Sequence, residues 1–211
     1  MRGWLTNTFG RKRVFWHDGG KGPIIDDVMQ KRGVEHFSRY VAIGGHIEFG
    51  NPSIQALPQP KIISAVFRNP IDQVISHFEF VSRRPQHALH TGGTLESALN
   101  SNTAFLREST NIQCRIATGS TSAIDALKVV EQNAFILGCF DNLPKYMDCV
   151  ATALDVPRRD LPRNNVQDSN YFDKHYSPRV EELIREITQE DEAVYQFVLK
   201  NGIVATVRSS E

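Results

Sequence analysis

Residues 61–80 (KIISAVFRNPIDQVISHFEF) restrict the fold of this chain more than any other segment. The first seven are almost continuously apolar, which is typical of a strand buried on both faces of a parallel sheet. The rest predict a helix, because Asn69 is a suitable N-cap, Pro70 takes the first helical position and Asp72 brings a negative charge to the first turn. A buried strand that leads directly into a helix indicates an α/β protein.

Arg68 and Ser76 are the candidate anion-binding residues of this segment. Arg68 stands where the strand ends, and ligands of open α/β sheets bind at the carboxyl ends of strands. Its guanidinium can donate two parallel hydrogen bonds to phosphate oxygens, and Ser76 lies on the helix face that also carries Asn69. The pair predicts a phosphate pocket. In the alternative interpretation, Arg68 pairs with a surface carboxylate and Ser76 is a solvated helix residue.

His46 is the candidate general base. It follows Gly44 and Gly45 at the end of a predicted strand, and an imidazole can accept a proton near neutral pH. The two glycines would leave room for a substrate hydroxyl close to the backbone. The alternative is a structural histidine at a strand end.

Apolar bursts alternate with amphipathic stretches along the 211 residues, so we predict a single α/β domain over 1–211 with a parallel sheet between helices. Strands are expected at 14–17, 39–45, 61–67 and 134–140, and one helical region at 103–118. Residues 83–94 predict a polar loop of the kind that borders a site. The segments TGGTLES (91–97) and TGSTSA (118–123) are interpreted as turns followed by helix N-caps.

Charge and composition exclude several classes of function. Lys+Arg and Asp+Glu balance at 24 each, so we expect no bulk nucleic-acid binding, and any anion site must be local. Three cysteines without a CxxC pattern favour reduced thiols and a cytoplasmic setting. The longest apolar runs are too short to cross a bilayer, so no membrane association is expected. The seven scattered histidines favour no metal site.

Four segments in order, GGHIEFG (44–50), AVFRNPIDQVISHF (65–78), FILGCFDNLPKYMDCVATAL (135–154) and EDEAVYQFV (190–198), resemble the sulfotransferases of the heparan sulfate 2-O-sulfotransferase type. The resemblance implies a three-layer, P-loop-like parallel sheet and the donor 3′-phosphoadenosine 5′-phosphosulfate (PAPS). It implies that Arg68 and Ser76 hold the 3′-phosphate of the donor. His46 would deprotonate a hydroxyl of a carbohydrate or similar acceptor, and Arg163 and Asn165 would lie in a loop that closes over the nucleotide.

The chain departs from that family at its beginning. The family opens with a strand and a lysine-containing glycine-rich loop that cradles the 5′-phosphosulfate, whereas this sequence begins MRGWLTNTFG, which resembles the following helix. We therefore expect the first strand to be missing and catalysis to be weak. The resulting gap in the sheet is one that a partner chain could fill, as in a homo-oligomer. GGKGP (19–23) lacks the spacing of a Walker loop.

Two other classes of function stay open alongside the enzyme. One is a catalytically silent, sulfotransferase-like module that binds a nucleotide or an acidic glycan, and the other is a plain interaction domain. Basic clusters at 11–13, 83–84 and 158–159 could contact an acidic saccharide or could be solvated surface. Asn111, Gln113 and Arg115 are expected on a helix that faces the donor in relatives or, equally, on an ordinary helix surface.

Overall fold

The computed structural model describes residues 1–17, 23–58, 61–90, 92–159 and 176–206. Within these residues the chain is an α/β protein, which confirms the predicted class. The helices are α1 (Arg2–Phe9), α2 (Ile25–Arg32), α3 (Pro52–Gln55), α4 (Pro70–Ser82), α5 (Leu95–Ser101), α6 (Thr103–Ser109), α7 (Ile112–Thr118), α8 (Ala123–Gln132), α9 (Leu143–Ala153), α10 (Pro178–Ile187) and α11 (Gln189–Asn201). Short 3₁₀ helices cover Arg11–Arg13, Val34–Arg39 and Phe140–Asn142.

The described strands form two sheets instead of the single parallel sheet that was predicted. The strands are β1 (Val14–His17), β2 (Ala42–Gly45), β3 (Ile63–Phe67), β4 (Phe135–Cys139) and β5 (Val204–Ala205). β1 pairs with β2 in parallel, and β3 pairs with β4 in parallel. In the described part of the chain no strand joins the two sheets, whereas the sequence predicted one sheet that lacks a strand.

β5 is a further departure from a purely parallel sheet. It runs antiparallel to β4, with Leu137 opposite Val204 and Ile136 opposite Ala205. The preceding helix α11 packs against β4, and the chain then turns at Gly202, whose φ of 73° suits glycine. A return of this kind within a few residues places the next strand antiparallel to its neighbour.

The sheet of β3 and β4 has helices on both faces. Phe135, Leu137 and Cys139 share a buried cluster with residues of α7, α8 and α11. Ile136, which points to the other face, packs in a cluster with residues of α1 and α9. All five residues of β4 are buried, as expected of a strand covered on both sides. This part of the molecule therefore has three layers.

Local signals placed most helix ends correctly. The Asn69 side chain accepts hydrogen bonds from the backbone of α4, with Pro70 at the first helical position. Thr94 and Ser122 cap α5 and α8, so the two glycine-containing segments are turns followed by N-caps, as predicted. The helical region predicted over 103–118 is in fact two helices, α6 and α7, separated at Asn111 by a left-handed residue with φ of 44°.

Candidate functional site

Arg68 lies immediately after the carboxyl end of β3, at the junction with α4. The Oδ1 atom of Asn69 accepts hydrogen bonds from the N–H groups of Ile71 at 3.0 Å and Asp72 at 3.4 Å. These bonds fix the direction in which α4 leaves the strand. The guanidinium carbon of Arg68 lies 5.7 Å from the ring centroid of Phe140, which follows the neighbouring strand β4. Arg68 is thus half-buried at the edge where the two parallel strands end.

The main chain of Arg68 is held in both directions by the side-chain amide of Gln113. Oε1 of Gln113 accepts a hydrogen bond from the Arg68 N–H at 2.7 Å, and Nε2 donates one to the Arg68 carbonyl at 2.9 Å. One amide group therefore satisfies both polar groups of a backbone unit that leaves the strand ladder. The Gln113 side chain therefore bonds to the backbone of Arg68, the candidate anion-binding residue. Gln113 is thus not the ordinary helix-surface residue that the sequence left open as an alternative.

The first turn of α7, which carries Gln113, is fixed by the buried carboxylate of Asp191. Asp191 is fully buried and accepts hydrogen bonds from the N–H groups of Gln113 at 3.1 Å and Cys114 at 2.8 Å. Burial raises the pKa of Asp191, and the hydrogen bonds from α7 act against that rise. In return, Oδ1 of Asn111 accepts from the N–H groups of Glu190 at 3.2 Å and Asp191 at 3.4 Å. The starts of α7 and α11 thus cap each other.

Ser76 lies on α4, about two turns beyond Asn69. Its side chain is half-buried, and its hydroxyl makes no hydrogen bond to the described residues. With a rise of about 1.5 Å per residue, Ser76 is roughly 10 Å along the helix axis from the N-cap. The Arg68 side chain would have to extend along α4 for both groups to reach one anion. Their convergence on a phosphate therefore stays a prediction.

His46 follows β2 and is exposed, and its ring makes no hydrogen bond within the described residues. The preceding glycines have a structural role beside the one predicted. A Cβ on Gly44 would lie 2.6 Å from the Trp16 ring, and one on Gly45 would lie 2.4 Å from the His17 carbonyl oxygen. The close packing of β2 on β1 therefore accounts for both glycines, and the expectation that they also leave room for a substrate hydroxyl stays a prediction.

The loop that carries His46 is docked on α7. The guanidinium of Arg115 contacts Glu48 at 2.9 Å and Glu108 at 3.5 Å, and the Phe49 N–H donates to the Ile116 carbonyl at 2.9 Å. Gly119, at the end of α7, would clash with the backbone of the loop if it carried a Cβ. α7 therefore positions both candidate regions, the Arg68 junction through Gln113 and the His46 loop through Arg115.

His77 is a potential site residue that the sequence reasoning missed. It stacks on Phe105 with ring centroids 5.4 Å apart, and its Nδ1 lies 3.4 Å from the Ser109 hydroxyl. Burial lowers the pKa of His77, and positive charge on His87 or His46 lowers it further, while Glu108 acts in the opposite direction. His46 and His77 are thus close enough to interact electrostatically. The signal in the sequence was a histidine directly after the candidate residue Ser76.

Arg163 and Asn165, the candidate nucleotide-covering residues, lie outside the described residues. Within the described ranges, His, Cys, Asp and Glu side chains form no group of three or more that could hold a metal ion. In that same part of the chain, every helix is too short or too polar to cross a bilayer.

Neither a scan against protein-family models nor a search of curated proteins found a match to this chain.

Proposed function

We propose that this chain is a sulfotransferase-like protein that moves a sulfuryl group from PAPS to a hydroxyl of a carbohydrate or similar acceptor. The single observation that carries the proposal is the position of α7. This helix holds the backbone of Arg68 through Gln113 and the loop after His46 through Arg115. A strand-end arginine and an exposed imidazole are thereby fixed to one support, which is what a reaction between two bound substrates needs.

Each residue has a defined role in this proposal. Arg68 and Ser76 would hold the 3′-phosphate of the donor, the guanidinium by two parallel hydrogen bonds and the hydroxyl by one. His46 would accept the proton of the acceptor hydroxyl as its oxygen forms a bond to sulfur. The bond from sulfur to the 5′-phosphate oxygen breaks at the same time, and adenosine 3′,5′-bisphosphate leaves with the electron pair. Positioning and charge stabilisation dominate such a transfer.

The finer fold belongs to the same proposal. The structure has two parallel strand pairs with helices beside them, and each pair has an unpaired edge among the described residues. A larger sulfotransferase-like sheet without its central strand would leave this arrangement. The half-exposed residues of β2 and the exposed Ser64 of β3 support this interpretation. Strands at the centre of a complete parallel sheet are covered on all sides.

A second candidate function is a binding module without catalysis. The described strand-to-helix junctions, after β2, β3 and β4, carry no glycine-rich loop with a lysine that could stabilise a leaving phosphosulfate. Loss of one preorganised donor at a developing anion costs about 10²–10³ in rate, and loss of a whole cradle costs more. A protein with Arg68 and Ser76 but no such loop would bind the nucleotide and turn over slowly or not at all.

The first test measures the melting temperature with adenosine 3′,5′-bisphosphate. Ligand at 100 times its Kd stabilises a protein by about 2.7 kcal/mol, so the wild type should show a clear upward shift. Arg68→Ala and Ser76→Ala should lower the shift, and Arg68→Lys should restore only part of it, because lysine cannot donate two parallel bonds. Arg158→Ala, on an exposed arginine paired with Asp148, is the matched control. A wild type without any shift would refute both candidate functions.

The second test separates the enzyme from the binding module. Turnover is measured with labelled PAPS and hydroxylated glycans for the wild type and His46→Gln. The enzyme proposal expects a loss of about 10²–10⁴ in rate for His46→Gln, with the shift by adenosine bisphosphate unchanged. Nucleotide binding with no turnover in the wild type would support the binding module and reject the enzyme.

A further inference from the structure

A groove of about 940 Å³ lies between β1, α1, α2 and the 3₁₀ helices Arg11–Arg13 and Val34–Arg39. It shares no lining residue with the candidate site at Arg68 and His46. Six cationic side chains from these elements line it: Arg2, Arg11, Lys12, Lys31, Arg32 and Arg39. We call this surface the cationic groove.

The charge of the cationic groove is far from balanced, although the whole chain has as many acidic as basic residues. Asp27 is the one carboxylate among its described lining residues. Asp26, the adjacent acidic residue of α2, is engaged elsewhere, because its carboxylate accepts hydrogen bonds from the Ser53 hydroxyl at 2.6 Å and the Asn51 amide at 3.3 Å. Among the described lining residues of the groove, cationic side chains therefore outnumber carboxylates by six to one.

Four cations of the cationic groove make no ion pair with the described residues. They are Arg11, Lys12, Lys31 and Arg32. Elsewhere in the molecule several basic residues do pair: Arg115 with Glu48 at 2.9 Å, and Arg158 with Asp148 at 2.8 Å. Like charges that share a concave surface repel each other, and an anion would relieve that repulsion.

Two further arginines are held in place by aromatic rings. The guanidinium carbon of Arg2 lies 5.9 Å from the centroid of Trp16, and that of Arg39 lies 4.8 Å from the centroid of Tyr40. Arg39 also donates a hydrogen bond to the Tyr40 hydroxyl at 2.8 Å. Stacking on a ring restricts the position of a guanidinium, whose planar fork matches the geometry of an oxyanion. The same stacking occupies one face of each of the two rings, which leaves less ring surface on which nucleic-acid bases could pack. The groove therefore favours recognition by charge.

We propose that the cationic groove binds a compact ligand that carries several phosphate or sulfate groups. The cavity volume lies within the range of sites for small molecules and cofactors, and the net neutrality of the chain argues against a long polymer that would need an extended basic surface. Cations on four structural elements can contact oxyanion groups at different points of one ligand. This inference does not rest on the proposed sulfuryl transfer.

The test measures, by titration calorimetry in about 50 mM NaCl, the binding of two probes that separate the two sources of oxyanions. Sodium tripolyphosphate carries phosphates, and sucrose octasulfate carries sulfates. The double variants Lys31→Gln/Arg32→Gln and Arg11→Gln/Lys12→Gln should each bind the preferred probe about tenfold more weakly than the wild type. The control Lys128→Gln/Arg179→Gln removes the same charge from outside the groove and should stay within about threefold.

Every outcome decides the proposal. The proposal is supported if the wild type binds one probe more tightly and both groove variants, but not the control, lose that binding. The tighter probe then identifies phosphate or sulfate as the preferred group. Failure of both probes to bind the wild type overturns it, and so does an equal loss in the control, which would indicate non-specific charge. Groove-dependent binding of a thymidine oligonucleotide or of phosphatidylserine vesicles, with both small probes unaffected by the variants, would also overturn it. Arg68→Ala tests the other candidate site: a loss of probe affinity as large there as in the groove variants would place the probes at Arg68 and overturn the proposal.

Discussion

Replacing Asp191 by alanine should destabilise the protein by about 2–4 kcal/mol. The change removes the acceptor of two backbone hydrogen bonds at the start of α7, those from Gln113 at 3.1 Å and Cys114 at 2.8 Å. A buried donor left without a partner costs about 1–3 kcal/mol, and relief of the cost of burying a carboxylate offsets part of the sum. Asp191→Asn keeps one acceptor oxygen, so we expect a loss of about 1–2 kcal/mol.

Urea denaturation of the wild type and both variants at constant pH gives these free energies of unfolding. Asp125→Ala is the control, because this exposed carboxylate pairs only with exposed Lys128 at 3.1 Å, and such pairs contribute about 0.2–1 kcal/mol. The Asp191 variants should also weaken the binding of adenosine 3′,5′-bisphosphate, since Gln113 fixes the backbone of Arg68. A cost below about 1 kcal/mol for Asp191→Ala would refute the capping argument, and unchanged nucleotide binding would refute its connection to the site.

Three further predictions concern pH, packing and reactivity. Burial raises the pKa of Asp191, so the wild type should lose stability relative to Asp191→Asn as the pH rises from about 4 through that raised pKa. Denaturation midpoints of the two proteins over this pH range measure the difference, and a difference independent of pH would contradict the prediction. Gly138→Ala should lower the free energy of unfolding in urea by about 1–3 kcal/mol, because a Cβ at this position would lie 2.5 Å from the Tyr146 ring. A Cβ at Gly92 meets nothing within 4 Å, so the control Gly92→Ala should lower it far less. Iodoacetamide followed by mass spectrometry should label half-buried Cys149 before the two fully buried thiols; simultaneous labelling would indicate a more open core.

The strand-to-helix segment around Arg68 could be predicted because its signals are local. An apolar run, an N-cap and a proline at the first helical position act within a few residues of each other, and the structure places β3 and α4 as they indicate. The same holds for the caps at Thr94 and Ser122. Hydrogen bonds between a side chain and the backbone two or three residues away need no information from the rest of the chain.

The features that the sequence did not reveal depend on distant partners. The division between α6 and α7 occurs at Asn111, whose side chain bonds to the backbone of Glu190 and Asp191, almost 80 residues later. Periodicity alone cannot detect such a break, because both sides of it continue the helical pattern. The two glycines before His46 are compatible with a substrate pocket and with a tight contact between strands. The sequence does not show where β1 lies, and the structure is needed to reveal the contact with β1.

The candidate site therefore combines a locally encoded motif with a support encoded far away. Arg68 is placed at its strand end by neighbouring residues, but its backbone orientation depends on Gln113, and Gln113 depends on a carboxylate of α11. The loop of His46 depends on the same helix α7 through Arg115. Part of this support is structural, because Gln113 satisfies the backbone N–H and C=O of Arg68 where they leave the strand ladder. Under the proposed function, the same two hydrogen bonds would also set the direction in which the Arg68 guanidinium leaves the backbone.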